Sequence, residues 1–303
     1  MSEHANTGGR AQFRRIVVLG SGGFIGTHLC ERLKVLAPDT EIVGRALPTL
    51  DLTDSAQAAK LADLFTSDTA VVSLAAIKRQ MGDHLDSFTA NLQIATNLAR
   101  VLAQHPVARF LFLSSTAVYG EETTDTRITE DTAPRAASYY GMAKLASELL
   151  LRKAAEQNGR TALLCVRPPL IYGPGDQGGY GPTGFIKAAL RGEPITLWGD
   201  GTELREFIYV ADAARALGEL LFHDATGVLN LVSGRSHNYL DALAAVEACV
   251  PLRQPVTQRP RSKGKADHGF DNARLRALLP GFAFTSLSEG VRATVAAQRA
   301  ATT

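Results

Sequence analysis

Between residues 138 and 144 the chain reads SYYGMAK, which puts two phenols and an amine within one stretch of helix length. Each helical residue advances about 100° around the axis, so residues four apart share a face and residues five apart do not. Tyr140 can therefore pair with Lys144, whereas Tyr139 cannot. A free tyrosine, near pKa 10, is a poor base at neutral pH. A cation within about 4 to 6 Å supplies a large part of the roughly 4 kcal/mol of preference for phenolate that such work requires. Tyr-x-x-x-Lys pairs also arise by chance on helix surfaces, so the surrounding elements decide what this one does.

Those elements alternate. RRIVVLG (14–20), EIVG (41–44), AVVSLAA (70–76), RFLFLSS (109–115) and TALLCVR (161–167) are apolar runs of strand length, as expected for strands covered on both faces. Helical patterns at 24–36, 55–65, 86–104 and 138–157 lie between them, and Phe88, Leu92, Ala95, Ala99 and Leu102 form one apolar stripe in the third. Strand then helix, repeated, predicts an α/β fold with a doubly wound parallel sheet. The Tyr140 helix precedes TALLCVR, and SSTAVYG ends RFLFLSS, so both project from the carboxyl edge of the sheet, where open α/β folds bind ligands.

At the same edge, RRIVVLG runs into GSGGFIGTHLCERL, with Gly20, Gly22, Gly23 and Gly26 at a strand-to-helix turn. Glycines there permit a positive φ, close approach of backbone to a pyrophosphate and tight helix packing, with the helix N-terminus facing the anion. This predicts a dinucleotide site. The second strand ends in Gly44 and Arg45, with no acid until Asp51. An acid there holds ribose hydroxyls, whereas an arginine accepts a 2′-phosphate, so Arg45 favours NADP(H) over NAD(H). A solvated Arg45 is the ordinary alternative. Asp51 and Leu52 are placed to meet the adenine edge.

After residue 171 the texture changes. YGPGDQGGYGPTG (172–184) is a loop, followed by a helix at 183–191, and LWGDGTELREFIYV (197–210) fits strand, turn at Asp200-Gly201, strand. A helix at 211–223 and GVLNLVS (227–233) return to the main sheet; a helix at 238–248, a Pro- and Arg-rich loop and a helix near 286–299 close the chain.

With 303 residues, 45% of them apolar, the chain can bury a substantial core, and a formal net charge of +2 argues for no nucleic-acid or membrane surface. Cys30, Cys165 and Cys249 have neither disulfide parity nor metal spacing, which suggests buried free thiols in a reducing compartment. His84, His223 and His237 share no metal spacing either, and no metal is expected. No secretory or membrane-spanning run is evident, so residues 1–13 read as a disordered tail on a cytoplasmic protein.

The ordered set GSGGFIG, SLAA (73–76), SSTAVYG, YGMAK, RPPLIYGPGD and GDGTELREFIYVADAARA resembles the extended short-chain dehydrogenases/reductases of the NAD-dependent epimerase/dehydratase kind, which act mostly on nucleotide-linked sugars. The resemblance covers nearly the whole chain from about residue 14. It implies a Rossmann domain over 14–170 plus about 207–233, and a smaller, interleaved substrate lobe over 171–206 plus 234–303. It also implies Ser115, Tyr140 and Lys144 as catalytic residues, with Phe24, Ile25, Leu74, Ala75, Ala76 and Asn91 joining Gly20, Gly23 and Gly26 at the cofactor. Thr116 and Arg205 would meet the substrate, Arg205 gripping its diphosphate. The loop RQPVTQRPRSKGK adds Arg253, Arg259, Arg261, Lys263 and Lys265, with Arg261 the candidate second contact and a solvated charge run the ordinary alternative. A homodimer through helices 86–104 and 138–157 is a further implication. Tyr139 should pack or line the mouth of the site, and Trp198 and Phe207 should belong to the lobe core.

Departures from the pattern narrow the chemistry. Dehydrating members carry Asp-Glu after the catalytic hydroxyl, where this chain has Thr116 and Ala117. LWGDGTELREFIYV and EIVGRALPTLDLTD resemble GDP-fucose synthase, but its cysteine and histidine are replaced by Ala117 and Gly179. Leu170 stands where many relatives place an asparagine against the diphosphate. What remains is reduction of a keto-sugar, with 4-epimerisation on tightly held NAD as the alternative. A non-catalytic NADP(H)-binding regulator and an enzyme of small hydroxysteroids or phenolic ketones are the other possibilities.

Overall fold

A computed structural model describes residues 13–122, 124–178, 181–261 and 264–301. In chain order its strands are β1 (Arg15–Leu19), β2 (Glu41–Arg45), β3 (Thr69–Ser73), β4 (Arg109–Leu113), β5 (Asp125–Ile128), β6 (Ala162–Arg167), β7 (Leu170–Tyr172), β8 (Thr196–Trp198), β9 (Phe207–Tyr209), β10 (Gly227–Asn230), β11 (Thr257–Arg259) and β12 (His268–Phe270). Its α-helices are α1 (Phe24–Leu36), α2 (Ser55–Ala59), α3 (Leu85–Gln104), α4 (Tyr139–Asn158), α5 (Gly181–Arg191), α6 (Val210–Leu221), α7 (Tyr239–Glu247), α8 (Ala273–Leu278) and α9 (Leu287–Ala300). No described helix is long and apolar enough to cross a membrane.

The main sheet is parallel throughout, in the order β10-β6-β4-β3-β1-β2. Alternate residues of β1 bury on opposite faces: Ile16 and Val18 pack with Leu29 and Leu33 of α1 and Leu217 of α6, whereas Val17 and Leu19 pack with Leu98 and Leu102 of α3 and Leu151 of α4. Burial on both sides explains why these strands read as unbroken apolar runs. The chain leaves β1 toward β2, then returns to place β3 on β1's other flank. The carboxyl ends of β1 and β3 thus border the switch point at which such sheets bind ligands.

Several boundaries differ from expectation. Phe13, at the end of the expected tail, is buried against Phe222 with ring centroids 5.6 Å apart. The 55–65 helix splits into α2 and a 3₁₀ turn over Lys60–Asp63. On α3 the buried positions are Ser87, Asn91, Ala95, Asn97, Leu98, Val101 and Leu102, so Phe88, Leu92 and Ala99 form a half-buried flank; Phe88 meets Tyr139 of α4 with ring centroids 6.2 Å apart. The two strands expected around Asp200-Gly201 exist but do not pair: β8 pairs with β11 and β9 with β7.

The smaller lobe has its own core of Phe185, Ile186, Phe207, Leu243, Val246, Val291 and neighbours. Phe207 lies there as expected, but Trp198 is 58% exposed and faces the cleft described below. Leu275 and Leu279, from the last quarter of the chain, pack into the sheet's own core.

Candidate active site

A cleft of about 850 Å³ runs from the carboxyl edge of the main sheet into the smaller lobe, lined among others by Phe24, Leu74, Ser115, Tyr140 and Arg205. Just beyond the carboxyl end of β1, Gly20 takes φ +86°, and a Cβ there would lie 2.9 Å from the Ala75 nitrogen. A Cβ on Gly26 would lie 2.1 Å from the Gly20 carbonyl oxygen, so no side chain fits between the turn and α1. Gly23 caps α1 without a side-chain hydrogen bond, and the first turn holds no acid. Its backbone N–H groups are left for an anion. This cradle fits the pyrophosphate of a dinucleotide.

At the end of β2, a Cβ on Gly44 would lie 2.7 Å from Ser21 Oγ, so a side chain there would have to displace the Ser21 hydroxyl. The partly buried Arg45 donates from Nη1 to the Gly44 carbonyl at 2.9 Å. Asp51 turns its Oδ1 to the Thr53 N–H and hydroxyl at 2.8 and 2.7 Å, and Leu52 is buried in the core. Ile25 and Ala76 join Phe24 and Leu74 on the cleft wall, whereas Gly20, Gly23, Gly26, Ala75, Arg45, Asp51, Leu52 and Asn91 lie outside that lining. Asn91 instead clamps the strand-exit loop: its Nδ2 donates to the Ile77 carbonyl at 3.0 Å and its Oδ1 accepts from the Ile77 N–H at 2.8 Å. Its hold is on the backbone that follows Leu74, Ala75 and Ala76.

Ser115, Thr116, Tyr140 and Lys144 meet on one wall. Ser115 begins a 3₁₀ turn, and its Oγ accepts the Ala117 N–H at 3.1 Å, which leaves the hydroxyl proton to donate. Tyr140 sits in the first turn of α4, capped by Ser138, whose Oγ accepts the Gly141 N–H at 3.1 Å. One turn on, the Lys144 ammonium lies 5.7 Å from the Tyr140 ring centroid and donates to the Leu113 carbonyl at 2.7 Å. Burial pushes its pKa down to about 8 against the opposing pull of Glu148. Lys144 is thus a cation below about pH 8, within reach of the phenol, and Tyr139 is exposed at the outer side of the helix.

In the smaller lobe, Arg205 and Arg261 share one carboxylate. Glu203 accepts from Arg205 Nη2 and from Arg261 Nη1, each at 2.7 Å. All three residues line the cleft, as do Arg259 and Trp198. Arg253 and Lys265 are outside that lining, and Lys263 and Gly179 lie outside the described residues. Glu206, also on the cleft, is buried; desolvation lifts its carboxyl to about 7, while hydrogen bonds from Ser233 and Gly234 pull the other way. No cluster of three or more potential metal ligands occurs among the described residues.

Sequence reasoning passed over Asp83, Glu148 and Glu203. Only Glu148 carried a local signal, four residues beyond Lys144 on the same helical face.

A model of the NAD dependent epimerase/dehydratase family matches residues 16–231, a span that includes the glycine turn, Ser115, Tyr140 and Lys144. The chain belongs to that family. It is 28% identical to a dTDP-4-dehydro-6-deoxy-D-allose reductase of a Streptomyces species, over 88% of this chain and 90% of the relative. It is 26% identical to an uncharacterised UDP-glucose epimerase of Bacillus subtilis, over 91% of this chain and 95% of the relative. Among solved structures, the UDP-glucose 4-epimerase of Thermus thermophilus in complex with NAD superposes with a TM-score of 0.81 at 27% identity, over 95% of this chain and 99% of that one. The expected fold and the enzyme class, an NAD(P)-dependent oxidoreductase or epimerase that modifies nucleotide sugars, accord with these matches.

Proposed function

We propose that this enzyme reduces a keto group, at C4, on a nucleotide-linked sugar, with NADPH preferred over NADH. The observation that carries the proposal is the grouping of Ser115, Tyr140 and Lys144 on one cleft wall with uncharged Thr116 and Ala117 beside them. That wall supports proton delivery to an oxygen and has no acid pair directly after Ser115 for expelling water.

The nicotinamide cofactor, when bound, supplies the hydride that reaches the carbonyl carbon. Ser115 donates a hydrogen bond to the carbonyl oxygen, and Tyr140 passes its phenolic proton to the same oxygen as the alcohol forms. The Lys144 charge stabilises the phenolate left behind, which recovers its proton from solvent. Arg205 and Arg261 grip the diphosphate, where guanidinium forks match phosphate oxygens. The NADPH preference rests on Arg45 and on the absence of an acid between Gly44 and Asp51.

The structural match to a 4-epimerase in complex with NAD favours a second reading: oxidation, rotation and re-reduction of the same carbon. Purified protein incubated with dTDP- and GDP-linked 4-keto-6-deoxy sugars is expected to consume NADPH in proportion to product. Copurified NAD with epimer interconversion and no net consumption gives the second reading instead.

We also infer a homodimer through α3 and α4. Leu85, Tyr139, Met142 and Leu149 are exposed apolar or aromatic side chains on these two helices, which pack against each other. Sedimentation equilibrium should give twice the chain mass; a single-chain mass at micromolar concentration sinks the idea.

A further inference from the structure

The first turn of α4 carries Tyr140, and a helix's first N–H groups have no partner within the helix. Ser138 takes one of them from within the segment. The next is taken from elsewhere: Asp83, 57 residues upstream in the loop between β3 and α3, accepts the Tyr140 N–H on Oδ1 at 2.9 Å. Asp83 is held in turn by Arg79, whose guanidinium lies 3.8 Å from its other oxygen and also bonds Glu121 across the cleft mouth. The near end of the same loop is fixed by the paired hydrogen bonds between Asn91 and the Ile77 backbone. Lys78, between the two anchors, lies over the Phe24 ring at 5.1 Å to the centroid, where α1 begins.

We infer that Asp83 is a positioning residue: it locks the backbone of Tyr140 to the loop that follows β3, so that the phenol keeps a fixed place relative to the cofactor cradle. The inference rests on the proposed role of Tyr140. One carboxylate caps the turn that carries the phenol while belonging to the loop that extends Leu74, Ala75 and Ala76, so movement of either is transmitted to the other. A carboxylate at a helix N-terminus also meets a favourable dipole, which strengthens the lock. Displacing a reacting group by about 1 Å can cost on the order of 100-fold in rate.

The test compares Asp83→Ala, Asp83→Asn and Tyr140→Phe. Asn keeps an acceptor oxygen and loses the charge; Ala loses both. Asp83→Ala is expected to lower kcat about tenfold or more with KM and dinucleotide affinity within about twofold, and Asp83→Asn to recover most of that loss. Hydrogen exchange should quicken at the Tyr140 amide in Asp83→Ala, a readout that needs no substrate. Unchanged exchange in Asp83→Ala, or an Asp83→Asn enzyme as slow as the Ala variant, overturns the inference. If Tyr140→Phe itself turns over normally, the reading of the site fails first, and the exchange data alone decide the lock.

Discussion

Tyr140→Phe is expected to reduce kcat by about 10²- to 10⁴-fold while the dinucleotide binds with nearly unchanged affinity. The substitution removes one oxygen and little else. The ring keeps its place over Lys144, and the backbone N–H keeps Asp83, because neither contact uses the hydroxyl. What is lost is the proton that accompanies hydride transfer. Ser115 can still polarise the carbonyl, which sets a floor above the uncatalysed rate. A chain that only binds NADP(H) as a sensor needs no phenolic proton, and its ligand response survives the change. Single-turnover measurement of cofactor absorbance separates the two, and a variant that retains more than about a tenth of wild-type kcat removes Tyr140 from the reaction.

Much of this site could be read before the fold was known, because its key signals are local. The glycine turn follows β1 directly, and the Tyr140 to Lys144 spacing is one turn of a single helix. Periodicity placed α1 to the residue, and α3 and α4 to within a residue or so, since long amphipathic or buried segments average over many positions. Signals failed where three-residue strands find partners far along the chain. Leu170 pairs with Phe207, Thr196 with Thr257, and His268 with Asp125, and nothing within any of these segments names its partner. The same limit hid Trp198: an aromatic at the end of a strand reads as core, but β8 is an edge whose last residue looks into the cleft. Asn91 shows the converse, a residue placed at the cofactor by resemblance whose amide is spent on holding the loop.

Behind Lys144, a buried ion pair sets up the largest expected effect on stability. Glu148 and Arg167 are both about 5% exposed, and Arg167 donates to the Glu148 carboxylate from Nε at 2.8 Å and Nη2 at 2.6 Å. Ser114 donates to the same carboxylate from the end of β4. Arg167 also donates to the Tyr119 hydroxyl at 2.9 Å, which donates to Asn230 Oδ1 at 2.7 Å. Burial opposes the Arg167 charge, but the hydrogen bonds and charge of Glu148 outweigh it and hold the guanidinium above its ordinary pKa. Glu148→Gln keeps the shape and removes the counter-charge, leaving a buried cation uncompensated, which costs about 3–5 kcal/mol. At roughly 2–4 °C per kcal/mol for chains somewhat smaller than this one, Tm should fall on the order of 10 °C. The double variant Glu148→Leu with Arg167→Met should regain most of that, because the dehydrated charges leave together and Tyr119 keeps its bond to Asn230. Glu148 also supports the Lys144 charge against burial, so its loss lowers the ammonium's pKa further below about 8. The alkaline limb of the kcat profile in Glu148→Gln should therefore move to lower pH, since the cation that steadies the Tyr140 phenolate is lost sooner as pH rises. A Tm within about 2 °C of wild type would show that water or a neighbouring group compensates Arg167, and an unmoved alkaline limb would disconnect Glu148 from Lys144.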